Sequence, residues 1–137
     1  MKYIILIIAC LLAGTAQAGM PVEIDATAQD SAGSRLVYAI KERIRNSASM
    51  EQTFVQSKMR LKLSIITMDR EPSNSGIATV YSAAIILSIP GQTDTFLNHY
   101  VGYCGMDRLA GCADGIVAHM DAQLDSLKKI APVLTKF

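Results

Sequence analysis

The 137-residue sequence predicts an α+β fold: a helix, an antiparallel meander of three or four strands and a C-terminal helix, with both helices packed on one sheet face. Three observations carry that expectation. Polar and apolar residues alternate with a period of two from Arg60 to Ile65. Apolar stripes at helical spacing lie on either side of the strand region. The connections between strand-like segments are short and rich in turn formers, which suits antiparallel neighbours.

The first eighteen residues are an address. Lys2 gives a positive start, Tyr3 to Ala13 form an almost unbroken apolar run, and Ala16-Gln17-Ala18 supplies small residues where a signal peptidase cuts. A membrane-spanning helix needs about 20 apolar residues, so this run reads as a cleaved secretory signal peptide with the mature chain starting at Gly19. No stable membrane insertion is expected after cleavage. Ile7-Ile8-Ala9-Cys10 loosely resembles a lipidation site, but the apolar run continues past Cys10, and a lipid anchor there is the weaker alternative. Residues 19–33 hold Gly19, Pro21 and Gly33 among scattered polar residues and read as an extended lead-in to a single domain at 34–137.

Within that domain, Ser34 is a candidate N-cap. Leu36, Ala39, Ile40 and Ile44 then mark the apolar side of a helix over 34–47. A short fourth strand is possible near 51–56. In the strand that follows, Leu61, Leu63 and Ile65 share the buried face, and Arg60, Lys62 and Ser64 the solvated one. Turn formers from Asp69 to Gly76 lead to the most apolar strand, Ile77 to Ile89. It carries Ile77, Tyr81, Ile85, Leu87 and Ile89 on one face and smaller residues, with Ala78, Val80, Ser82, Ala84 and Ile86, on the other. Pro90 to Asp94 turn the chain into a third strand, Thr95 to Cys104. From 107 to 129 the period returns to helical, with Leu109, Cys112, Ile116, Met120, Leu124 and Leu127 in the stripe and Pro132 closing the helix.

Removing the leader takes Lys2 and Cys10 with it. The mature chain then has 12 basic and 12 acidic residues, which gives no general attraction to nucleic acid or anionic lipid. Cys104 and Cys112 remain as an even pair in an oxidising compartment, and a disulfide between them would brace the junction of the third strand and the last helix. A redox or metal role would call for Cys-x-x-Cys spacing or histidine neighbours, and both are missing.

Chemistry is hard to find. His99 and His119 are the only histidines, with no ligand at a recognised spacing; no nucleophile elbow, phosphate loop or dinucleotide fingerprint occurs; and Asp114, Asp121 and Asp125 recur as any solvated helix face would. No cofactor or metal is implied. Two features point to an interaction surface instead. Residues 31–70 hold eight cations against three anions, while 107–125 hold one cation against four aspartates; these patches either orient a partner or face each other. The small-residue face of the central strand, Ala78, Val80, Ser82, Ala84 and Ile86, with Arg60 and Lys62 beside it, is either covered by a helix or left for a partner or second subunit. The leading expectation is a non-catalytic periplasmic or secreted protein that acts by contact with an envelope protein, as an inhibitor, an immunity-type protein or an assembly accessory. The rival is a small secreted hydrolase whose site converges only in three dimensions.

Overall fold

A computed structural model describes residues 19–71 and 75–134. The leader, Cys10 and the tip of the turn at 72–74 lie outside the described residues. The elements run β1 (Met20–Ala28), α1 (Ser31–Arg45), β2 (Met50–Gln52), β3 (Arg60–Asp69), β4 (Ala78–Ser88), β5 (Thr95–Gly105), a 3-10 turn (Met106–Arg108) and α2 (Leu109–Leu134). The class is α+β. The sheet has five strands in the order β2-β1-β3-β4-β5.

The β3-β4-β5 meander has the expected antiparallel pairing, Leu61 opposite Leu87 and Tyr81 opposite Gly102, with a bulge where Ile85 gives way to Ile86. The sheet as a whole is mixed, because β1 pairs in parallel with both β3 and β2. Residues 19–33 are therefore no lead-in: most of them build an inner strand. The sequence Val22-Glu23-Ile24-Asp25-Ala26-Thr27 does alternate. Pro21 and the small Ala26 and Ala28 hide the pattern, and Pro21 is tolerated at the head of a strand. A short strand does lie near the expected 51–56, at Met50–Gln52, but it pairs in parallel with β1 at the sheet edge and is no part of the antiparallel meander.

Helix α1 begins three residues earlier than the Ser34 cap implies. Its N-cap is Asp30, whose Oδ1 accepts the Gly33 N–H at 2.6 Å, while Ser34 Oγ donates to the Asp30 carbonyl at 2.9 Å. The same carboxylate reaches the sheet, since Thr67 Oγ1 on β3 and Thr79 Oγ1 on β4 lie 3.2 and 3.0 Å from Asp30 Oδ2. Asp30 is only 5% exposed, and both threonines are fully buried. Gly33 belongs to this arrangement, because a Cβ there would stand 1.8 Å from Thr67 Oγ1. Helix α2 runs through Pro132 to Leu134, past its expected end. A proline removes one donor and disturbs the turn before it, so only the final turn of a helix this long is affected.

Both helices cover one sheet face. Leu36, Val37, Ile40 and Ile44 of α1 and Ala113, Ile116, Val117, Met120 and Leu124 of α2 close over Val22, Leu61, Leu63, Ile65, Ala83, Ile85 and Cys104. Each fully buried aliphatic side chain contributes about 1.5–3 kcal/mol. Ile77, expected among them, is exposed just before β4 starts. The Tyr81 ring lies across Gly102, where a Cβ would come within 2.2 Å of it, so the glycine makes room for an aromatic on the neighbouring strand. The disulfide joins Cys104 at the end of β5 to Cys112 in the first turns of α2, with 6.2 Å between Cα atoms. No described helix is long and apolar enough to cross a membrane.

Three outcomes follow from this packing. Asp30→Ala removes the cap and leaves the buried Thr67 hydroxyl without its acceptor, while Thr79 keeps the Met68 carbonyl 3.1 Å away; it is expected to cost roughly 2–4 kcal/mol in denaturant titrations, with Asp30→Asn costing less. Replacing both Cys104 and Cys112 by serine is expected to lower stability by roughly 2–3 kcal/mol without abolishing the fold, since the closed loop is short. Burial raises the hydroxyl pKa of Tyr81 and of Tyr100 above the ordinary 10.0, and the Tyr100 hydroxyl has no hydrogen-bond partner among the described residues. A pKa raised by folding stabilises the fold fully below the unfolded value, and that contribution is lost as pH climbs through the folded value. Melting temperature is therefore expected to fall above about pH 10, and Tyr100→Phe should weaken that fall while leaving neutral-pH stability unchanged or slightly higher.

Candidate functional site

The face of the sheet opposite the helices has no covering element among the described residues. Strand register sets its side chains in rows across β3, β4 and β5: Met68, Val80 and Tyr103; then Ile66, Ser82 and Val101; then Ser64, Ala84 and His99; then Lys62, Ile86 and Phe96. On the far side β1 adds Thr27, Asp25 and Glu23 beside Ile66, Ser64 and Lys62. Ile66, Met68, Phe96, Val101 and Tyr103 are each between 49% and 66% exposed. Ile66 of β3 and Val101 of β5 thus flank the smaller Ser82, while Ala84 lies between Ser64 and His99, so a row of small and polar side chains crosses the middle of an apolar surface. Contiguous patches of this kind are rare on monomers unless something binds them.

All seven residues singled out in the sequence fall on this face, but two of them are closed. Ala78 is 3% exposed and Arg60 8%. Arg60 pairs with Glu23 across the sheet and donates to the carbonyls of Gln56 and Lys58 at 2.9 and 3.4 Å. Lys62 lies 3.4 Å from Asp25. The two cations expected to meet a partner are thus paired within the face, and what remains exposed is largely uncharged. Ile66, Met68, Phe96, Val101 and Tyr103 extend the patch beyond the sequence reading. Continuing the alternation of Arg60, Lys62 and Ser64 for four residues would have found Ile66 and Met68. The β5 members depend on a register that the bulge beside Ile86 shifts.

The charge asymmetry is also partly spent inside the fold. Arg43 of α1 pairs with Asp114 of α2, which raises the arginine pKa further, and Ser49 donates to Asp121. Arg70, at the corner of the open face, sits 5.2 Å from the centre of the Tyr103 ring.

Two histidine environments bear on chemistry. His119 stacks on Tyr100 with ring centres 4.5 Å apart. His99 Nε2 lies 3.0 Å from Ser82 Oγ on the open face, the spacing of a base and a nucleophile. Ser82 stands in mid-strand on a flat surface, however. No carboxylate hydrogen-bonds His99 among the described residues. The described residues hold no cluster of three or more metal-binding side chains. An apolar recess of about 250 Å³ lies elsewhere, at the Met20 end of the sheet, between Leu87 and Ile89 and the Leu124–Lys128 part of α2.

No protein-family model matches the chain, and none of the curated proteins does. Among solved structures, that of the rare lipoprotein B from Shewanella oneidensis superposes with a TM-score of 0.40 at 12% identity, covering 77% of this chain and 98% of that one. At that degree of overlap the likeness fixes neither fold nor function here.

Proposed function

We propose that this is an exported, non-catalytic protein of the periplasm that acts by protein–protein contact through the open face of its sheet, as an inhibitor, an immunity-type protein or an accessory of envelope assembly. The observation that carries the reading is the apolar, largely uncharged surface formed by Ile66, Met68, Val80, Phe96, Val101 and Tyr103. A monomer that left this surface in water would forgo about 25 cal/mol for every Å² it could bury. The export address Lys2 to Ala18 supports the compartment, and the Cys104–Cys112 bond suits an oxidising one.

A hydrolytic reading has one observation in its favour, the Ser82–His99 hydrogen bond. Among the described residues no carboxylate bonds His99, the orienting acid that a Ser-His pair needs for acyl transfer. Ester hydrolysis by the purified protein that disappears in both Ser82→Ala and His99→Ala would establish it over the contact reading.

A photo-crosslinking side chain at position 101 or 66, introduced in the native host, is expected to give protein adducts that the same group at Ala118, exposed on α2, does not. Equal adducts from both faces, or none from the sheet face, would sink the proposal.

A further inference from the structure

We propose that the open face of the sheet is covered by the same face of a second copy of this chain, the two sheets packing as a closed, two-fold symmetric sandwich. This names the partner in the contact reading above and rests on it.

Area is the first argument. Strands β3 to β5 are 10 to 11 residues long, about 35 Å, and with β1 they make a face of four strands at spacings of ~4.8 Å. That is roughly 650 Å² of flat area per copy, so about 1,300 Å² over the pair, within the ~1,200–2,000 Å² that specific interfaces bury. Pairing along the β5 edge alone offers a strip about 35 Å long and ~10 Å deep, roughly 700 Å² over both copies, which falls short. The face meets the requirement and the edge does not.

Charge is the second. Within the rows of the face, Glu23 and Asp25 are joined to Arg60 and Lys62 in two ion pairs that sum to zero, with Arg70 at the corner as a further cation. A strongly charged partner would gain little from steering onto such a surface, while a second copy meets Arg70 only over the already paired Arg60. Shape is the third. Under a two-fold axis running across the strands between Ser82 and Ala84, Val80 and Tyr103 of one copy come to rest on Ile86 and Phe96 of the other, apolar on apolar, with Met68 over the aliphatic stem of Lys62. Sheets stacked face to face lie ~10 Å apart, close enough for these side chains to interdigitate.

Sedimentation equilibrium on the protein purified from its exporting host tests this. The expected mass is twice that of one chain. Val101→Asp and Met68→Lys, on two different strands, should each return it to a single chain with the far-ultraviolet spectrum unchanged, and Ala118→Lys on α2 should leave the doubled mass in place. A single-chain mass for the unaltered protein overturns the inference, as does a dimer that survives both face substitutions. The crosslinking group at position 101 separates this failure from failure of the contact reading. An adduct of two identical chains supports the sandwich. An adduct with a different protein, from a chain that is single when purified, overturns the sandwich and leaves the contact reading standing. No adduct overturns both.

Discussion

The arrangement turns on the carboxylate of Asp30. Only Gln29 and Asp30 separate the end of β1 from the start of α1, and in that space the chain must reverse and lie back over the sheet. Asp30 accomplishes this by bonding in two directions, to the Gly33 N–H at the head of the helix and to the hydroxyls of Thr67 and Thr79 on the two central strands. A buried carboxylate without partners would cost several kcal/mol, so these donors are what permit it to be there. Once the head of α1 is pinned over β3 and β4, Leu36, Ile40 and Ile44 must descend onto Leu61, Leu63 and Ile65. The second helix completes the same layer, tied to β5 by Cys104–Cys112. Two helices are then used on one side, and among the described residues no element is left to cover the other.

Electrostatics follows from the same placement. With α1 and α2 adjacent, the basic first helix and the acidic second one meet at Arg43 and Asp114, and the asymmetry visible along the chain is partly cancelled in space. On the uncovered face the parallel pairing of β1 with β3 sets Glu23 and Asp25 beside Arg60 and Lys62. Exposed pairs are worth little, but the Arg60–Glu23 pair is mostly buried and further held by backbone carbonyls, so its value lies in neutralising a cation that cannot reach solvent. Binding selectivity at this face is left to shape and apolar area.

Much of this could be read in the sequence because local periodicity carries it. The alternation from Arg60 to Ile65 set the sides of β3, and the stripes at 34–47 and 107–129 found both helices. The pairing of Cys104 with Cys112 followed from the cysteine count once Cys10 was assigned to the leader. What escaped depended on partners distant in the chain. Strand β1 alternates weakly because Val22 is its one buried residue and Ala26 and Ala28 are small and exposed, and its place between β2 and β3 is fixed by parallel pairing across α1, which no local pattern reports. The Asp30 cap was missed because its other donors stand on β3 and β4, 37 and 49 residues away. At the candidate site the alternation of β4 and of the start of β3 gives Ala78 to Ile86, Arg60 and Lys62, but neither Ile66 and Met68 nor the β5 members. Whether a helix covered it depended on which side both helices would take, and the burial of Arg60 depended on Glu23 in a strand not foreseen.

The two edges of the sheet explain why association is directed to the face. An open edge invites strand addition, and proteins blunt edges by shortness, charge, proline or bulges. Edge strand β2 is only three residues long. Edge strand β5 has eleven residues and carries no charge or proline, so it needs another device. The register break beside Ile86 interrupts its ladder near Phe96 and Asn98, and Asn98 Oδ1 accepts the N–H of His99, taking up a donor that an incoming strand would otherwise find. With that edge interrupted, the apolar area of β5 is offered through Phe96, Val101 and Tyr103 on the face. A face that meets its own copy about a two-fold axis closes after two chains, whereas a head-to-tail contact between unlike surfaces would continue into a filament.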